Sequence, residues 1–310
     1  MCIAVFVWLN HPLYPFLLLH NRDEYHNRPT KAISWWEDCE ILGGRDGLAG
    51  GTWLACTREG RLAFVTNVRE LNPSPEAKSR GDLPVRFLES RKSPMEFAEE
   101  VEKEAHQYNG FNLILTDLCS KTMVYVCNRP KGEPISIQVV SPGIHVLSNA
   151  KLDSPWFKAR KYSILLNFNE KLKSTKGYTD YKPTVVFFIK PVGKINISSS
   201  NGAERLGQNF KALLDKCGEG EVPMKEMIEE LMKDTVKADK SMLPQIYPPE
   251  WEFNSSSIFV EIDTPSGWYG TRSTAALSVR TSGEVSFYER YLEKEMWKEH
   301  TVNYQIDKVK

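Results

Sequence analysis

Short apolar runs separated by turn residues dominate the first half of the chain and return at its end. The first two form a hairpin: an apolar run from 2 to 9, a turn at 10–13 and a return run from 14 to 20. Clusters of β-branched and aromatic residues between Gly, Asn and Ser turns predict further strands. They cover 52–57, 61–66, 111–117, 122–128, 135–140, 145–148, 257–263, 275–281, 284–291 and 302–306. Because short turns join most neighbours, we expect largely antiparallel pairing.

Helical patterns fill the intervals between these strands. Residues 83–90 and 94–107 form one predicted pair, and the second helix opens with Ser93 as cap, Pro94 at the first helical position and Glu96 completing a capping box. A second group covers 156–172, 203–216 and 223–237. Many strands are apolar on both faces, so two stacked sheets need helices outside them. The predicted fold class is therefore α+β, an αββα four-layer sandwich of two mainly antiparallel sheets.

Two stretches carry neither pattern. Residues 21–51 are predicted to be irregular, and their glycine-rich part, 43–51, matches neither a phosphate-binding loop nor a dinucleotide fingerprint. It is interpreted as a plain turn or as a flexible wall near Trp53. Residues 177–201, with a β-like run at 184–189, are interpreted as a surface insertion in an otherwise single domain spanning 1–310.

Composition and charge narrow the classes of function. The chain has 310 residues, of which 40 are basic and 40 acidic, so no global field attracts nucleic acid or an anionic membrane. No apolar run is long enough to span a bilayer, and the first twenty residues lack the basic start of a targeting segment. The six cysteines show no metal-binding spacing. We therefore expect a soluble cytoplasmic protein with reduced thiols, no metal site and no resident cofactor.

Cys2, directly behind Met1 and at the start of an apolar strand, is the most informative single residue. Methionine is normally trimmed before so small a residue, which leaves a thiol and a free α-amine on one terminal cysteine. The amine titrates at about 7.7–8.0 and the thiol at about 8.5, so the amine can accept the thiol proton. Such a residue is suited to thiol acyl transfer or amide hydrolysis. The competing interpretation is a small buried core residue.

Polar residues at strand ends supply partners for such a thiol. The hairpin returns residues 20–24 toward Cys2, where a carboxylate would hold the α-ammonium and a cation would lower the thiol pKa. Asn67 and Asn149 close two other strands, and an amide that donates to a developing oxyanion is often worth about 3–4 kcal/mol. Arg272 lies just before another strand. The alternative for each is a solvated turn or a surface charge.

The chain carries a set of short motifs: Cys2, Asn21-Arg22-Asp23-Glu24, Arg28-Pro29, Gly50-Gly51-Thr52-Trp53-Leu54, Asn67, Tyr108 to Leu113, Leu147 to Ala150, Pro155-Trp156 and Tyr269 to Arg272. Together these motifs resemble the transport and Golgi organisation protein 2 family, the NRDE-motif proteins. The resemblance implies an αββα sandwich like that of the N-terminal nucleophile (Ntn) hydrolases. It also implies similarity to the branch of bile-salt hydrolase, penicillin V acylase and acid ceramidase, in which an N-terminal cysteine cleaves an amide.

The resemblance also implies roles for individual residues of a cysteine N-terminal amidohydrolase. Cys2 would be nucleophile and base, Asp23 the anchor of its amine, Asn67 and Asn149 the oxyanion and amine-positioning side chains, and Arg272 the cation beside the thiol. Arg22 joins this catalytic set, and the predicted ligand-binding residues are His20, Asn21, Glu24 and Trp53. One departure concerns His20, which stands where the hydrolases carry an arginine. Because neighbours on a strand face opposite ways, Arg22 and Asp23 both reach Cys2 only if the chain bends.

The family also supports a non-catalytic hypothesis. The resemblance implies roles in Golgi organisation, protein secretion, lipid homeostasis and haem movement, with Golgi or mitochondrial association. The expected partner is then a lipid, a haem or a small-molecule amide, with haem as a transported ligand. Candidate haem ligands, without diagnostic spacing, are His11, His20, His26, His106, His145 and Cys2. A third hypothesis, a partner-binding scaffold, would use the charged helices around 219–240.

Overall fold

The computed structural model describes residues 2–37, 39–154 and 202–306. Strands from the two ends of the chain form one sheet, here called sheet A. Its strands are β1 (Ile3–Trp8), β2 (Phe16–Tyr25), β10 (Gly143–Leu147), β11 (Glu261–Ile262), β12 (Tyr269–Val279), β13 (Glu284–Glu293) and β14 (Met296–Gln305). They lie in the order β10-β1-β2-β12-β13-β14, and β11 pairs with β12.

The second sheet, sheet B, is a meander whose strands follow one another in chain order. Its strands are β3 (Thr30–Trp35), β4 (Ile41–Asp46), β5 (Leu54–Thr57), β6 (Arg61–Asn67), β7 (Phe111–Asp117), β8 (Thr122–Cys127) and β9 (Ser136–Val139). The pairs between neighbouring strands of both sheets are antiparallel, as predicted from the short turns.

Helices cover the outer face of each sheet. Sheet B carries α1 (Asp82–Glu89) and α2 (Pro94–Glu104), the latter ending in a 3-10 turn at Ala105–Gln107. Beside sheet A lie α3 (Gly202–Cys217), α4 (Met224–Met227) with a π turn at Ile228–Met232, a 3-10 turn at Lys240–Met242 and α5 (Pro249–Asn254). The predicted capping box of α2 is confirmed, since Ser93 Oγ accepts from the Glu96 N–H at 3.3 Å and the Glu96 carboxylate accepts from the Ser93 N–H at 2.8 Å.

Three hydrophobic cores lie between adjacent layers and hold them together. The central core lies between the sheets, where Phe6 of sheet A meets Phe64 of sheet B edge to face at 5.5 Å. A second core joins sheet A to α3 through Phe210 and its neighbours, and a third joins sheet B to α1 and α2 through Phe87 and Phe97. The predicted αββα sandwich is confirmed. Among the described residues, none of the helices combines the length and apolarity that crossing a bilayer requires.

The interpretation of residues 21–51 as irregular is wrong. β2 continues to Tyr25, and β3 and β4 follow within this stretch. The glycines in β4 are needed for close packing: a Cβ on Gly43 would lie 2.5 Å from the Ala55 Cβ, and one on Gly44 would lie 2.2 Å from Trp53 Cζ2. The two glycines therefore mark a strand that another element approaches closely, rather than a turn.

Other boundaries shift by a few residues. The strand predicted at 257–263 is reduced to β11, whereas β12 begins at Tyr269, six residues before the predicted start at 275. The last strand is also longer than predicted, because β14 pairs with β13 along ten residues. The helix predicted at 156–172 and the insertion predicted at 177–201 lie outside the described residues.

Asn21 connects β2 to the layer outside sheet A by hydrogen bonds. We predict that the stability of the fold depends on it. Its fully buried amide donates to the Met232 carbonyl at 2.9 Å and to the Ile258 carbonyl at 3.0 Å, and its oxygen accepts from Thr274 Oγ1 at 2.7 Å. Asn21→Ala leaves these buried partners unsatisfied, so we expect unfolding free energy to fall by about 3 kcal/mol or more.

Urea denaturation measures this change. The control is Asn72→Ala, because Asn72 is exposed, and we expect its midpoint to stay near that of the unmodified protein. A loss below about 1 kcal/mol in Asn21→Ala would contradict a structural role for this amide.

Candidate functional site

Cys2 lies at one end of the sandwich, directly before β1. In the β1–β2 ladder Ile3 pairs with Asn21, so Cys2 adjoins Arg22. Its carbonyl accepts a hydrogen bond from Ser148 Oγ at 3.2 Å, and the residue is 8% exposed. Even-numbered residues of β1 and β2 face the central core and odd-numbered ones face the outer layer. Because it precedes the first paired residue, Cys2 borders both sides of sheet A.

Two cavities meet at Cys2. The first, the basic cavity, has a volume of about 470 Å³, and its lining includes Arg22, Asp23, Trp53, Asn67 and Arg80. The second, the outer cleft, lies on the helix side of sheet A, and its lining includes Ile3, Asp23, Asn149, Ala203 and Leu243. A molecule held across the two cavities would therefore pass the sulfur atom.

Asp23 is held in place by the neighbouring strand. Its carboxylate accepts a hydrogen bond from Thr271 Oγ1 at 2.7 Å, and the same hydroxyl accepts from the Val260 N–H at 3.0 Å. Burial raises the pKa of the Asp23 carboxyl to about 6, although the Thr271 bond and the Arg22 charge act in the opposite direction. Near neutral pH the carboxylate form therefore predominates beside Cys2.

The surroundings of the Cys2 thiol act on its pKa in both directions. Burial raises this pKa, and the charge of Asp23 adds to the increase. The backbone N–H of Asp23 and the guanidinium of Arg22 lower it, but burial is the larger influence. The thiol is thus held mainly protonated, and it would need a local base to become a nucleophile.

Arg22 is one of the arginines that line the basic cavity together with Cys2. It is buried and lies 4.2 Å from the centre of the Trp53 ring, which is a cation–π contact. Arg22 faces the space between the sheets, whereas Asp23 faces the outer layer. Both lie close to Cys2 because Cys2 stands at the end of its strand, so the bend expected for β2 is not required.

Asn67 and Asn149 are brought together at the cavity walls. The side-chain amide of Asn149 donates to the Asn67 carbonyl at 2.7 Å, and Asn149 Oδ1 accepts from Ser148 Oγ at 3.4 Å. Asn149 lines the outer cleft, and the exposed Asn67 lines the basic cavity. One N–H of Asn149 is thus used within the protein. Each of these two cavities therefore has one of the two predicted oxyanion amides in its wall.

A buried network that was missed from the sequence fixes the loop of Ser148 and Asn149. Asn112 donates to the carbonyls of Ser148 and Ala150 at 3.1 and 2.9 Å, and its oxygen accepts from Tyr125 OH at 2.7 Å. A polar residue inside the apolar run Phe111 to Leu115 was the available signal. Thr271 gave none, because a threonine in a strand is ordinary.

The structure does not place Arg272 beside the thiol, which corrects the role expected for it. The β2–β12 ladder shifts register between Thr271 and Ser273, so Arg272 occupies a bulge. Its Nη1 donates to the carbonyls of Tyr25 and Arg28 and to Thr30 Oγ1. Arg272 therefore holds the turn between β2 and β3.

Arg272 also lines a third cavity of about 640 Å³, together with Arg22, Glu289 and His300. This cavity and the basic cavity lie on either side of Arg22, since that residue lines both.

The predicted ligand-binding residues separate into two groups. Glu24 and Trp53 line the basic cavity, as a ligand-binding role requires. Asn21 and His20 do not line it: the amide of Asn21 is used in the outer layer, and His20 is 1% exposed in the central core. Burial lowers the pKa of His20 to about 3, so its imidazole is neutral. The side chains of these two residues lie inside the protein and line neither the basic cavity nor the outer cleft.

The histidines considered for haem are dispersed through the described part of the chain. His145 binds Asp153 at 2.6 Å and the Ser141 carbonyl at 2.8 Å, and His11 accepts from the Leu13 N–H at 3.2 Å. Within residues 2–37, 39–154 and 202–306, no group of three or more His, Cys, Asp or Glu side chains is arranged to hold a metal ion. Cys2 is the haem-ligand candidate that lines the basic cavity and the outer cleft.

Comparison with known proteins gives consistent matches in sequence. The family model described as Transport and Golgi organisation 2 matches residues 1–184 and 194–294. The mouse Transport and Golgi organization 2 homolog is 41% identical over 169 residues, which are 51% of this chain and 60% of the mouse chain. The Drosophila melanogaster Transport and Golgi organization protein 2 is 27% identical over 174 residues, 52% of this chain and 62% of that one. The chain thus spans about 60% of the length of these relatives.

Among solved structures, the C2A mutant of conjugated bile acid hydrolase from Clostridium perfringens aligns with a TM-score of 0.47 and 12% identity. The alignment covers 98% of this chain and 97% of the other. The Caenorhabditis elegans ortholog of N-acylethanolamine-hydrolyzing acid amidase aligns with a TM-score of 0.28 and 10% identity, over 55% of this chain and 79% of the other.

Glu289 provides a test of the electrostatics around Arg22. The residue is 1% exposed, and its carboxylate accepts from the Ile33 N–H at 2.7 Å. Burial raises the pKa of Glu289 from 4.5 to about 7. The native chain therefore holds this proton more tightly than the unfolded chain, and the free energy of unfolding falls as pH rises from about 4.5 to about 7.

Glu289→Gln keeps the acceptor for Ile33 and removes the titration. We expect it to remove a decrease of at most about 3.5 kcal/mol across this range, at about 1.4 kcal/mol per pKa unit. Denaturation at a series of pH values measures the change. The exposed Glu284→Gln on the same strand is the control, and equal pH dependence in the two variants would contradict the assignment.

Proposed function

The chain belongs to the Transport and Golgi organisation 2 family, and from this premise we propose that it is a cysteine amidohydrolase. In this proposal Met1 is removed and Cys2 becomes the N-terminal nucleophile. The observation that carries the proposal is the position of Cys2, whose thiol lies where two cavities meet, next to a buried carboxylate held by Thr271.

The proposed reaction begins when the α-amine of Cys2 takes the thiol proton. The thiolate then attacks the carbonyl carbon of an amide, and a sulfur–carbon bond forms while negative charge develops on oxygen. The side-chain amides of Asn67 and Asn149 would donate to that oxygen. The carbon–nitrogen bond breaks, and the leaving amine departs with the proton from the α-ammonium.

The second half of the reaction releases the acyl group. Water attacks the thioester carbon and gives one proton to the α-amine of Cys2, which later returns it to the sulfur as the carbon–sulfur bond breaks. The products are a carboxylic acid and an amine, and the thiol is regenerated. Asp23 would hold the α-ammonium in both halves, which its carboxylate form allows above its pKa of about 6.

The same cavities support a second proposal, the binding of a lipid, acyl ligand or haem without turnover. The raised pKa of the Cys2 thiol favours this alternative, because a protonated thiol is a poor nucleophile. We further propose a role in Golgi organisation, protein secretion and lipid homeostasis. The protein would exercise this role in the cytoplasm, at Golgi or mitochondrial membranes. For the Golgi role the support is the family's name.

The nucleophile proposal predicts selective covalent labelling. An acylating probe should form a thioester on the peptide that begins with Cys2, and Cys2→Ser should abolish that adduct. Insertion of one alanine between Met1 and Cys2 should lower the labelling rate at least tenfold, because the thiol then lacks its own α-amine as base. Peptide mass spectrometry measures both effects, and the intact mass shows whether Met1 is removed.

Cys217→Ser is the matched control, since Cys217 is half-buried at the end of α3 and lines neither cavity. Equal labelling in the alanine insertion and the unmodified protein would contradict an N-terminal nucleophile.

The ligand-binding alternative predicts a spectroscopic change. If haem binds through the Cys2 sulfur, titration with haem should shift its Soret band, and Cys2→Ser should reduce that shift while His106→Ala should not. His106 is exposed and serves as the control. An unshifted Soret band at saturating protein would contradict haem binding.

A further inference from the structure

Two guanidinium groups meet at the bulge between β2 and β12. Arg22 Nη1 donates to Thr30 Oγ1 at 3.4 Å, and Arg272 Nη1 donates to the same oxygen at 3.2 Å. The Thr30 hydroxyl donates its own hydrogen to the Arg28 carbonyl at 3.2 Å, so it carries no charge that offsets the two arginines. Burial lowers the pKa of Arg272, and the charge of Arg22 lowers it further. Two like charges held this close oppose folding unless a negative charge compensates them.

Most hydrogen-bond donors of this arginine pair are unused. Neither guanidinium forms an ion pair with a carboxylate in the part of the chain that the structure describes. Arg22 is 5% exposed, and besides the bond to Thr30 its guanidinium lies against the Trp53 ring. Nε of Arg272 is buried without a hydrogen-bond partner among the described residues. Because a guanidinium has five N–H donors, the pair has free donors for an acceptor from outside the chain.

The third cavity, of about 640 Å³, gives such an acceptor access to both arginines. It lies between β3 of sheet B and the strands β12, β13 and β14 of sheet A, all of which contribute to its wall. Lys31 and Lys294 also line it, and both are exposed. Cys2 does not line this cavity. A molecule bound here would therefore be distinct from one bound in the basic cavity.

The two glutamates in the wall of the third cavity do not neutralise it. The Glu289 carboxyl accepts from the Ile33 N–H at 2.7 Å, and burial raises its pKa to about 7. A large part of this carboxyl is therefore protonated at neutral pH, and in that form it can donate a hydrogen bond to an anion. Glu293 forms an ion pair with Lys298.

The carboxylates on the other side of Arg22 are bound by another arginine. Asp46 receives two hydrogen bonds from Arg28, at 3.0 and 2.6 Å, and Glu24 lies 3.8 Å from the same guanidinium. Their charges raise the pKa of Arg22, but neither carboxylate forms an ion pair with it among the described residues. The positive charge at the third cavity is thus left without a partner at contact distance.

Arg22 connects the third cavity with Cys2. Its side chain lines both the third cavity and the basic cavity, where Cys2 also lies in the wall. Burial raises the pKa of the Cys2 thiol, and the charge of Arg22 is one of the influences that lower it. An anion bound to Arg22 from the third cavity would offset that charge. The thiolate fraction of Cys2 would then fall.

From these observations we propose that Arg22 and Arg272 bind an oxyanion in the third cavity and that this anion lowers the reactivity of the Cys2 thiol. The planar fork of a guanidinium matches the oxygens of a phosphate or a carboxylate group, which share this chemistry. The anion is a regulator that binds on the far side of Arg22 from the sulfur. The site goes beyond the proposed function, because binding there requires no hydrolysis.

Isothermal titration of the full chain tests the anion site. Inorganic phosphate and acetate are titrated separately, with ionic strength held constant by sodium chloride. We expect saturable binding of one anion per chain, and the anion that binds more tightly identifies the charged group of the ligand. Arg272→Gln should weaken binding about tenfold or more, because it removes a charge-assisted hydrogen bond. Failure of both anions to bind saturably would overturn the proposal.

Two serine variants locate the anion without disturbing the β2–β12 bulge. Ser34 lines the third cavity, Ser79 lines the basic cavity, and both are exposed. Ser34→Glu places a carboxylate in the third cavity and should weaken binding about tenfold through repulsion of the anion. Ser79→Glu adds the same charge at the other cavity and should change affinity less than about threefold, since solvent screens it. Weakening confined to Ser79→Glu, or absent from Ser34→Glu, would overturn the site even if Arg272→Gln fails to fold.

Alkylation by iodoacetamide, an uncharged reagent, measures the effect on the thiol. The rate at Cys2 is divided by the rate at Cys217 in the same sample. Saturation with the tighter-binding anion should lower this ratio about threefold, because the thiolate fraction falls when a nearby positive charge is offset. Ser34→Glu should lower the ratio without added anion, and the anion should then have little further effect.

The outcomes separate this inference from the proposed function. A ratio that does not change on saturation would overturn the effect on Cys2. None of these measurements requires turnover, so loss of the hydrolase proposal would leave the anion site standing. Conversely, absence of anion binding would leave the nucleophile proposal standing. Binding that weakens in Ser34→Glu together with a ratio that falls on saturation supports the inference.

Discussion

The pairing of β2 with β12 is the constraint on which the candidate site depends. Ten registered residue pairs join the two strands, with a single shift between Thr271 and Ser273. The shift places Thr271 opposite Asp23, Ser273 opposite Arg22, and Arg272 in the bulge. A bulge leaves its extra residue unpaired, disrupts the ladder only locally and changes the direction of side chains. As a result, Thr271 of β12 presents the hydroxyl that binds Asp23. The next residue, Arg272, presents the guanidinium that binds the turn after Tyr25.

The rest of the sandwich compensates for the free energy that is lost when charged groups are buried beside the β2–β12 ladder. The site combines a carboxyl, a thiol and a guanidinium that are all buried, and burial makes the charged form of each less stable here than in water. The neutral Asn21 beside them is hydrogen-bonded at both of its side-chain polar atoms. Asn21, between His20 and Arg22, satisfies two carbonyls and accepts one hydroxyl. Such strain-bearing sites persist where the surrounding structure over-determines them.

The sequence predicts most of the layers because apolar periodicity is a local signal. The strands at Ile3–Trp8 and Phe111–Asp117 and the capped helix at Pro94–Glu104 follow from their own residues. β3 and β4 were missed because β3 has a single buried residue, Ile33, and because the glycines of β4 resemble a turn. At the site, proximity of Cys2 to Asp23 follows from the hairpin. The displacement of Arg272 does not, because a bulge depends on how two remote strands pair.

Gly44 of β4 is connected with the Cys2 thiol of the other sheet through the side chains of Trp53 and Arg22. Any side chain at Gly44 would collide with the Trp53 ring, and Arg22 stacks on that ring beside Cys2. A single methyl group added in sheet B would therefore move an indole, and the indole would move a guanidinium whose charge lowers the pKa of the thiol. A substitution at Gly44 would thus change the reactivity of the thiol without altering a polar residue.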